Sequence, residues 1–268
     1  STIQDIERIP GITRIGDQAL VIAEGGEYPR LGVGEDYQEV AAKKKRGAIL
    51  EVTKEAVAGD KTGELLDRCG ELGYFLGLND EKRIIDAIID ENEGAASAHQ
   101  GGHRYTWRGT AYATYQTSSP WINSKTSTAL TNASSLNTLW LLMAAITDPF
   151  TGEPIMVNPD TLIVAPDLLF TASRIVSATE YRSTDPGYAT SANPAQTVGP
   201  NPISHIIGGG LKVMSSRLLK SRLATDTNWF LGSPKKAVCR FYNWDVTTAQ
   251  RSTNTDAEFE RDIVMQFK

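Results

Sequence analysis

The stretch covering residues 60–90 constrains the fold more than any other. Leu65, Leu66, Cys69, Leu72, Leu76, Ile84, Ile85, Ile88 and Ile89 recur there at steps of three and four, with acids and bases between them. That repeat belongs to an amphipathic helix, and at about 1.5 Å per residue the helix is about 45 Å long. Gly70, Gly73 and Gly77 each lower helix propensity by roughly 1 kcal/mol relative to alanine. The helix therefore either bends at these positions or is approached closely there.

Before the helix, residues 1–17 carry a proline and two glycines and show no clear periodicity, which reads as an extended arm. Residues 19–26 (ALVIAEGG) read as a strand entering a glycine-rich tip, and residues 38–57 (QEVAAKKKRGAILEVTKEAV) as the strand set that returns. Together they predict a hairpin of about forty residues, a length that is marginal alone in water and calls for a partner surface. Lys43, Lys44, Lys45 and Arg46 interrupt the returning set. The formal net charge of the chain is -5, which argues against a nucleic-acid patch or a localisation signal. Charges on an exposed strand edge block promiscuous pairing and offer partners for carboxylates elsewhere.

Beyond the helix, residues 93–103 are small and flexible, residues 103–116 (HRYTWRGTAYATYQ) are rich in β-formers, and residues 124–135 form a polar connector. Helices are expected over residues 136–147 and 166–177, with a short buried strand (TLIVA) at 161–165. Residues 177–202 have the composition of a long surface loop. Strands are expected within 205–209, 211–219, 228–233 and 235–246, and 257–268 alternates with Phe259, Arg261, Ile263, Met265 and Phe267 on one face. Helices and strands in blocks, with no strict βαβ order, predict the α+β class.

A chain of 268 residues that is 40% hydrophobic can bury one large core or two moderate ones. Its apolar runs, such as 139–146, fall far short of the ~20 residues of a membrane span. Two cysteines, Cys69 and Cys239, make no disulfide framework and suit a reducing compartment. No signal-like apolar segment follows Ser1, and a serine start is expected from methionine removal or from cleavage of a longer leader.

Catalytic chemistry finds little support. His99 and His103 stand four apart but lack the glutamate of a zinc-protease motif and sit among glycines; a solvated loop is the better reading. His205 is the only other histidine, no nucleophile elbow is present, and Cys69 has no marked base. Residues 208–212 (GGGLK) lack the ending of a phosphate loop and read as a turn. Tyr105, Trp107, Tyr112 and Tyr115 alternate as core strand aromatics do, although a stacking platform for single-stranded nucleic acid has the same composition. No catalytic, cofactor or metal residue is assigned.

The order of arm, long hairpin, long helix, mixed lobe and closing strand resembles the major capsid protein of tailed bacteriophages, with the Hong Kong 97 phage fold. Gly47, Ile49, Val52, Thr53, Lys54, Glu55, Ala56 and Asp60 take the places of that family's returning strand and of its acidic entry to the spine helix. Residues 136–183 are similar to the Mu-like head-subunit branch: a helix, the turn of Gly152, Pro154 and Ile155, then Pro159, an apolar strand, a helix led by Pro166, and Ala172. Residues 256–268 look like the terminal strand of the peripheral domain.

The resemblance implies an N-terminal arm at 1–17 and an extended loop at 18–59. It implies a peripheral domain of 60–125 with 240–268, including a spine helix at 61–90, and an axial domain at 126–239. It further implies a non-enzymatic subunit that needs no cofactor and forms the hexamers and pentamers of an icosahedral shell around double-stranded DNA. The shell is assembled in the host cytoplasm and carried in the virion. Portal, scaffolding, maturation-protease and decoration proteins are its implied partners; the genome is touched only weakly and a membrane not at all. Tyr28, Arg30, Lys43, Lys44, Lys45 and Arg46 are the expected contacts between subunits. Relatives that cross-link use a lysine near the loop tip, which residues 25–37 lack, so no covalent cross-link is expected. An encapsulin-like shell and, more distantly, a hydrolase with a serine or metal site are the alternatives.

Overall fold

The structure is a computed structural model that describes residues 7–12, 21–28, 30, 34–40, 47–60, 64–90, 104–118, 121–184, 196–201, 203, 210–223, 225–239, 247, 249–252 and 261–267. In chain order it contains β1 (Glu7–Ile12), β2 (Glu35–Val40), β3 (Leu50–Thr53), α1 (Lys54–Gly59), α2 (Glu64–Ile89), β4 (Arg104–Trp107), β5 (Thr110–Ala113) and α3 (Ala133–Ala144). Then follow β6 (Thr161–Val164), a 3-10 turn (Pro166–Leu168), α4 (Leu169–Ser177), β7 (Glu180–Thr184), β8 (Gln196–Pro200) and β9 (Lys212–Ser215). Last come α5 (Arg217–Arg222), β10 (Trp229–Gly232), α6 (Pro234–Ala237), β11 (Gln250–Ser252) and β12 (Ile263–Phe267). Helices and strands mix without βαβ alternation, as the α+β class requires.

The chain divides into two compact units, the first made of Ser1–Asp5, Ala42–Ile84 and Cys239–Lys268. Its sheet has the order β11-β12-β3, antiparallel throughout, so the last described strand is the central one. Val52 and Ile263 are buried there. The register slips between Ile263, opposite Thr53, and Met265, opposite Val52. This irregularity interrupts the regular two-residue register expected over 257–268. Residues 54–59 turn out to be helical where a returning strand was expected. Thr53 explains this, since its hydroxyl accepts from the Ala56 amide at 3.3 Å and Glu55 occupies the first turn, both of which favour a helix start.

The second unit comprises Ile6–Ala41 and Ile85–Val238. One of its sheets is antiparallel with the order β1-β2-β4-β5. Here the outcome differs from the expected pairing of 19–26 with the returning set. Residues 21–23 are not strand, β2 takes β1 and β4 as neighbours, and β3 takes β12. The arm supplies the missing strand. Between β4 and β5 the two-residue turn of Arg108 and Gly109 has φ of 49° and 76°, the left-handed pair that matches the twist of a tight hairpin.

A three-stranded sheet ordered β10-β6-β9 centres the main core. β6 is apolar and nearly all buried, pairing antiparallel with β10 and parallel with β9. A parallel pair needs a long crossover, and α4, one element of that crossover, packs on β6 and β9. Leu162, Val164, Ala172 and Ile175 meet Leu136, Leu211 and Trp229 in this core. Asn201, buried, holds the end of α4: its amide donates to the carbonyls of Ile175 and Ala178 at 2.9 Å each, and its oxygen accepts from the Ile203 amide at 3.1 Å. Residues 180–184 and 196–200, expected as loop, pair as the β7–β8 ribbon. Residues 217–222 form a helix instead of continuing a strand, because the Ser216 hydroxyl caps it by accepting from the Leu218 amide.

A second cluster gathers Ile85 and Ile89 of α2 with Ala165, Leu219 and Leu223. Beside it Arg222 donates to both oxygens of Asp86, at 2.6 Å from Nε and through Nη2 to the other. Removing one member of a buried pair leaves the other charge uncompensated, so Arg222→Ala is expected to cost about 3–5 kcal/mol. Urea unfolding followed by circular dichroism measures this, and replacing Asp86 and Arg222 together by leucine is expected to cost clearly less.

Candidate assembly surface

The residues expected to carry contacts between subunits are only partly within view. Tyr28 is 83% exposed and Arg30 is exposed, both beyond the turn in which the Gly26 amide donates to the Ala23 carbonyl at 2.8 Å. Gly25 has a φ of 79° in that turn, a conformation that favours glycine. Val21 is also fully exposed, while Ile22 is partly buried. Lys43, Lys44, Lys45 and Arg46 lie outside the described residues, as do His99, His103 and His205.

Sequence reasoning missed a second exposed group. Tyr74 and Phe75 of α2 are 69% and 56% exposed, with their rings 5.9 Å apart and edge to face. Part of the signal is present in the sequence: Tyr74 stands off the stripe of Leu72 and Leu76, whereas Phe75 follows Leu72 by three residues and shares its side of the helix. Of the bend or close approach expected at Gly70, Gly73 and Gly77, no close approach is found among the described residues, where a Cβ built on each meets nothing within 4 Å.

Of the strand aromatics, Trp107, Tyr112 and Tyr115 are packed, and the side chain of Tyr105 lies outside the described ones. Trp107, Tyr112 and Trp121 form a cluster with ring centroids 5.2 to 6.2 Å apart. The Tyr115 ring lies 5.7 Å from that of Phe230, and its hydroxyl donates to the Ile88 carbonyl. These contacts occupy ring faces that a stacking platform would need free.

Charged groups are likewise engaged in structure. Trp107 donates from Nε1 to Asp36 at 2.8 Å, and Arg108 lies 3.6 Å from the same carboxylate while its guanidinium covers the rings of Phe150 and Trp107 at 3.9 and 4.9 Å. Stacking and ion pairing together offset the left-handed backbone of Arg108. Asp160 accepts from the hydroxyls of Thr161 and Ser233 at 2.8 Å each. Asp167 pairs with Lys220 at 2.8 Å, an exposed contact of small energetic weight. Among the described residues no group of three or more histidines, cysteines, aspartates or glutamates is placed to hold a metal ion. Cys239 is free and exposed. No helix of the described residues is long and apolar enough to cross a membrane.

What these surfaces offer is contact area, with aromatic and charged groups presented outward and the titratable pairs used internally. The model of a family described as phage capsid protein matches residues 36–268, and the chain belongs to that family. It is thus a capsid protein, a structural component whose class builds a shell by self-assembly. No curated protein and no solved structure matches the chain.

Asp36 supplies a pH test. The Trp107 hydrogen bond, and after it the Tyr37 amide and Arg108, outweigh burial and hold its carboxyl below the usual aspartate value of 3.8. A depressed carboxylate stabilises the fold above the unfolded-state value, and that contribution disappears as the pH falls through the folded-state value. Asp36→Asn is therefore expected to lower stability by about 1 kcal/mol near neutrality. Thermal midpoints measured from pH 7 down to pH 3 are expected to fall less in the variant than in the parent.

Proposed function

We propose that the chain is the major head protein of a tailed phage or prophage, assembling as hexamers and pentamers into an icosahedral shell around double-stranded DNA. The observation that carries the reading is family membership over residues 36–268. The order of elements supports the finer assignment to the Hong Kong 97 type of fold and to the Mu-like branch: a long helix at Glu64–Ile89, a buried strand at Thr161–Val164, a helix led by Pro166, and a last strand returning to the first compact unit.

In this reading the arm is 1–17, the extended loop 18–59, the peripheral domain 60–125 with 240–268, and the axial domain 126–239. The helix over 61–90 is the spine. Tyr28, Arg30, Lys43, Lys44, Lys45 and Arg46 meet neighbouring subunits, and portal, scaffolding, protease and decoration proteins complete the particle. The subunit has no catalytic role. Its net charge of -5 suits a wall that does not trap the genome, since strong phosphate binding needs clustered lysine and arginine. The virion is its location.

Negative-stain microscopy of the purified protein is expected to show closed, uniform shells; a monodisperse monomer would overturn the reading. Nuclease-protected DNA in particles made during infection separates a virus head from a compartment that houses enzymes. Replacing Lys43, Lys44 and Lys45 with glutamate is expected to leave the circular dichroism unchanged and to cut particle yield roughly tenfold or more, as loss of interfacial charge pairs does. Denaturing electrophoresis of assembled particles is expected to give a single monomer band with no covalent ladder.

A further inference from the structure

The basic charge of this acidic chain is concentrated in one stretch. Residues 211–240 hold seven lysines and arginines against one acid, Asp226, which leaves 20 basic and 31 acidic residues in the rest of the sequence. Two of the seven serve the subunit's own structure: Lys220 lies 2.8 Å from Asp167 and 3.8 Å from Asp226, and Arg222 holds Asp86. Arg240 lies outside the described residues. Lys212, Arg217, Lys235 and Lys236 are exposed.

Strand pairing brings three of these four to one end of the β10-β6-β9 sheet. Thr161 opens β6, with Lys212 beside it on β9 and Gly232 beside it on β10. At about 4.8 Å between neighbouring strands, the backbones of Lys212 and Gly232 stand roughly 10 Å apart. Ser233 follows Gly232 and leads into α6, which carries Lys235 and Lys236. Asp160 fixes that corner: its carboxylate accepts from the Thr161 and Ser233 hydroxyls at 2.8 Å each, its amide donates to the Gly232 carbonyl at 3.2 Å, and its carbonyl accepts from the Lys212 amide at 2.9 Å. The Thr161 and Ser233 hydrogen bonds, and with them the charge of Lys235, hold the Asp160 carboxyl below its usual value. Arg217 stands beyond the last residue of β9, at the opposite end of the sheet.

A lysine ammonium is a compact, strongly hydrated charge on a flexible stem, and several together suit a partner that is itself a line of closely spaced charges. Double-stranded DNA carries one negative charge per about 1.7 Å of its axis. A protein partner calls instead for aromatic or arginine anchors, and lysine is depleted at such contacts. We propose that Lys212, Lys235 and Lys236 form a surface that touches the phosphate backbone of double-stranded DNA, so that this end of the sheet faces the genome inside the shell. The inference rests on the shell reading and supplies the residues of its DNA contact. Contacts to phosphate alone carry no sequence information, and three of them give a weak, salt-sensitive grip. That suits a wall along which packaged DNA must still move.

The test follows binding of a short DNA duplex to the full chain before assembly, by fluorescence anisotropy over a range of salt concentrations. The variant Lys212→Gln, Lys235→Gln and Lys236→Gln is expected to stay folded by circular dichroism. Its slope of log K against log salt is expected to be shallower than the parent's by about 2.7, at about 0.9 for each of three phosphate contacts. Lys43→Gln with Lys44→Gln and Lys45→Gln is expected to keep the parent slope. An unchanged slope in the first variant, a loss confined to the second, or a parent that binds no duplex would overturn the proposal. Poly-glutamate of equal charge bound as tightly as the duplex would make this a surface for acidic protein and overturn it too. In DNA-filled particles, formaldehyde cross-linking with mass spectrometry is expected to find DNA adducts on these lysines. Filled particles with adducts only elsewhere would remove this surface alone, whereas particles without nuclease-protected DNA would remove the reading of a DNA-enclosing head.

Discussion

The second compact unit depends on a charge that would be costly without its partner. Asp86 is 1% exposed, and a carboxylate in such a place is tolerable only when a cation and hydrogen bonds replace its water. Arg222 provides both oxygens with donors across 136 residues of sequence. One turn further along the chain Asp90 is fully buried as well, with the Thr114 hydroxyl on its carboxylate at 3.1 Å. The Tyr115 hydroxyl takes the Ile88 carbonyl, one of the last four that a helix leaves without an internal partner. These polar contacts fix where residues 85–90 lie against Ala165, Leu219 and Leu223, a placement that apolar packing alone would leave free to slide.

What the sequence made legible was whatever depends on local pattern. The three-and-four repeat located α2 to within a few residues, the proline-led start located the helix ending at Ser177, and TLIV between prolines located β6. Pairing was not legible, because β propensity says that a segment is strand and nothing about its neighbour. That is why β2 was assigned to a hairpin with 19–26 and lies instead beside β1 and β4. Short helices at 54–59 and 217–222 were missed because a capping hydroxyl, Thr53 or Ser216, decided the conformation against β-rich neighbours. The exposed rings of Tyr74 and Phe75 were hidden for another reason. Periodicity gives the stripe of Leu72 and Leu76 but not the exposure of the apolar residues beside it, and only the structure shows that both rings face solvent.

For a capsid protein this division has a physical meaning. The groups that titrate or hydrogen-bond strongly, such as Asp36 with Trp107 and Asn201 at the end of α4, are used inside the subunit. Outward it presents the Tyr74 and Phe75 rings, exposed loop residues and charges whose pair energies are small. Weak contacts repeated many times give a closed assembly whose overall strength comes from the number of copies, while each contact can still open and correct an error.

The position of β12 sets a schedule. It is the middle strand of its sheet, so β3, near the start of the first unit, has no described strand partner until residues 263–267 exist. At a synthesis rate of about 5–20 residues per second, roughly 10–40 s separate the two strands during translation. Throughout that interval the growing chain cannot complete the β11-β12-β3 sheet, and a ribosome that stops early releases a chain lacking its central strand. The first sheet therefore assembles only after residues 263–267 have been synthesised, because β12 joins β3 to β11.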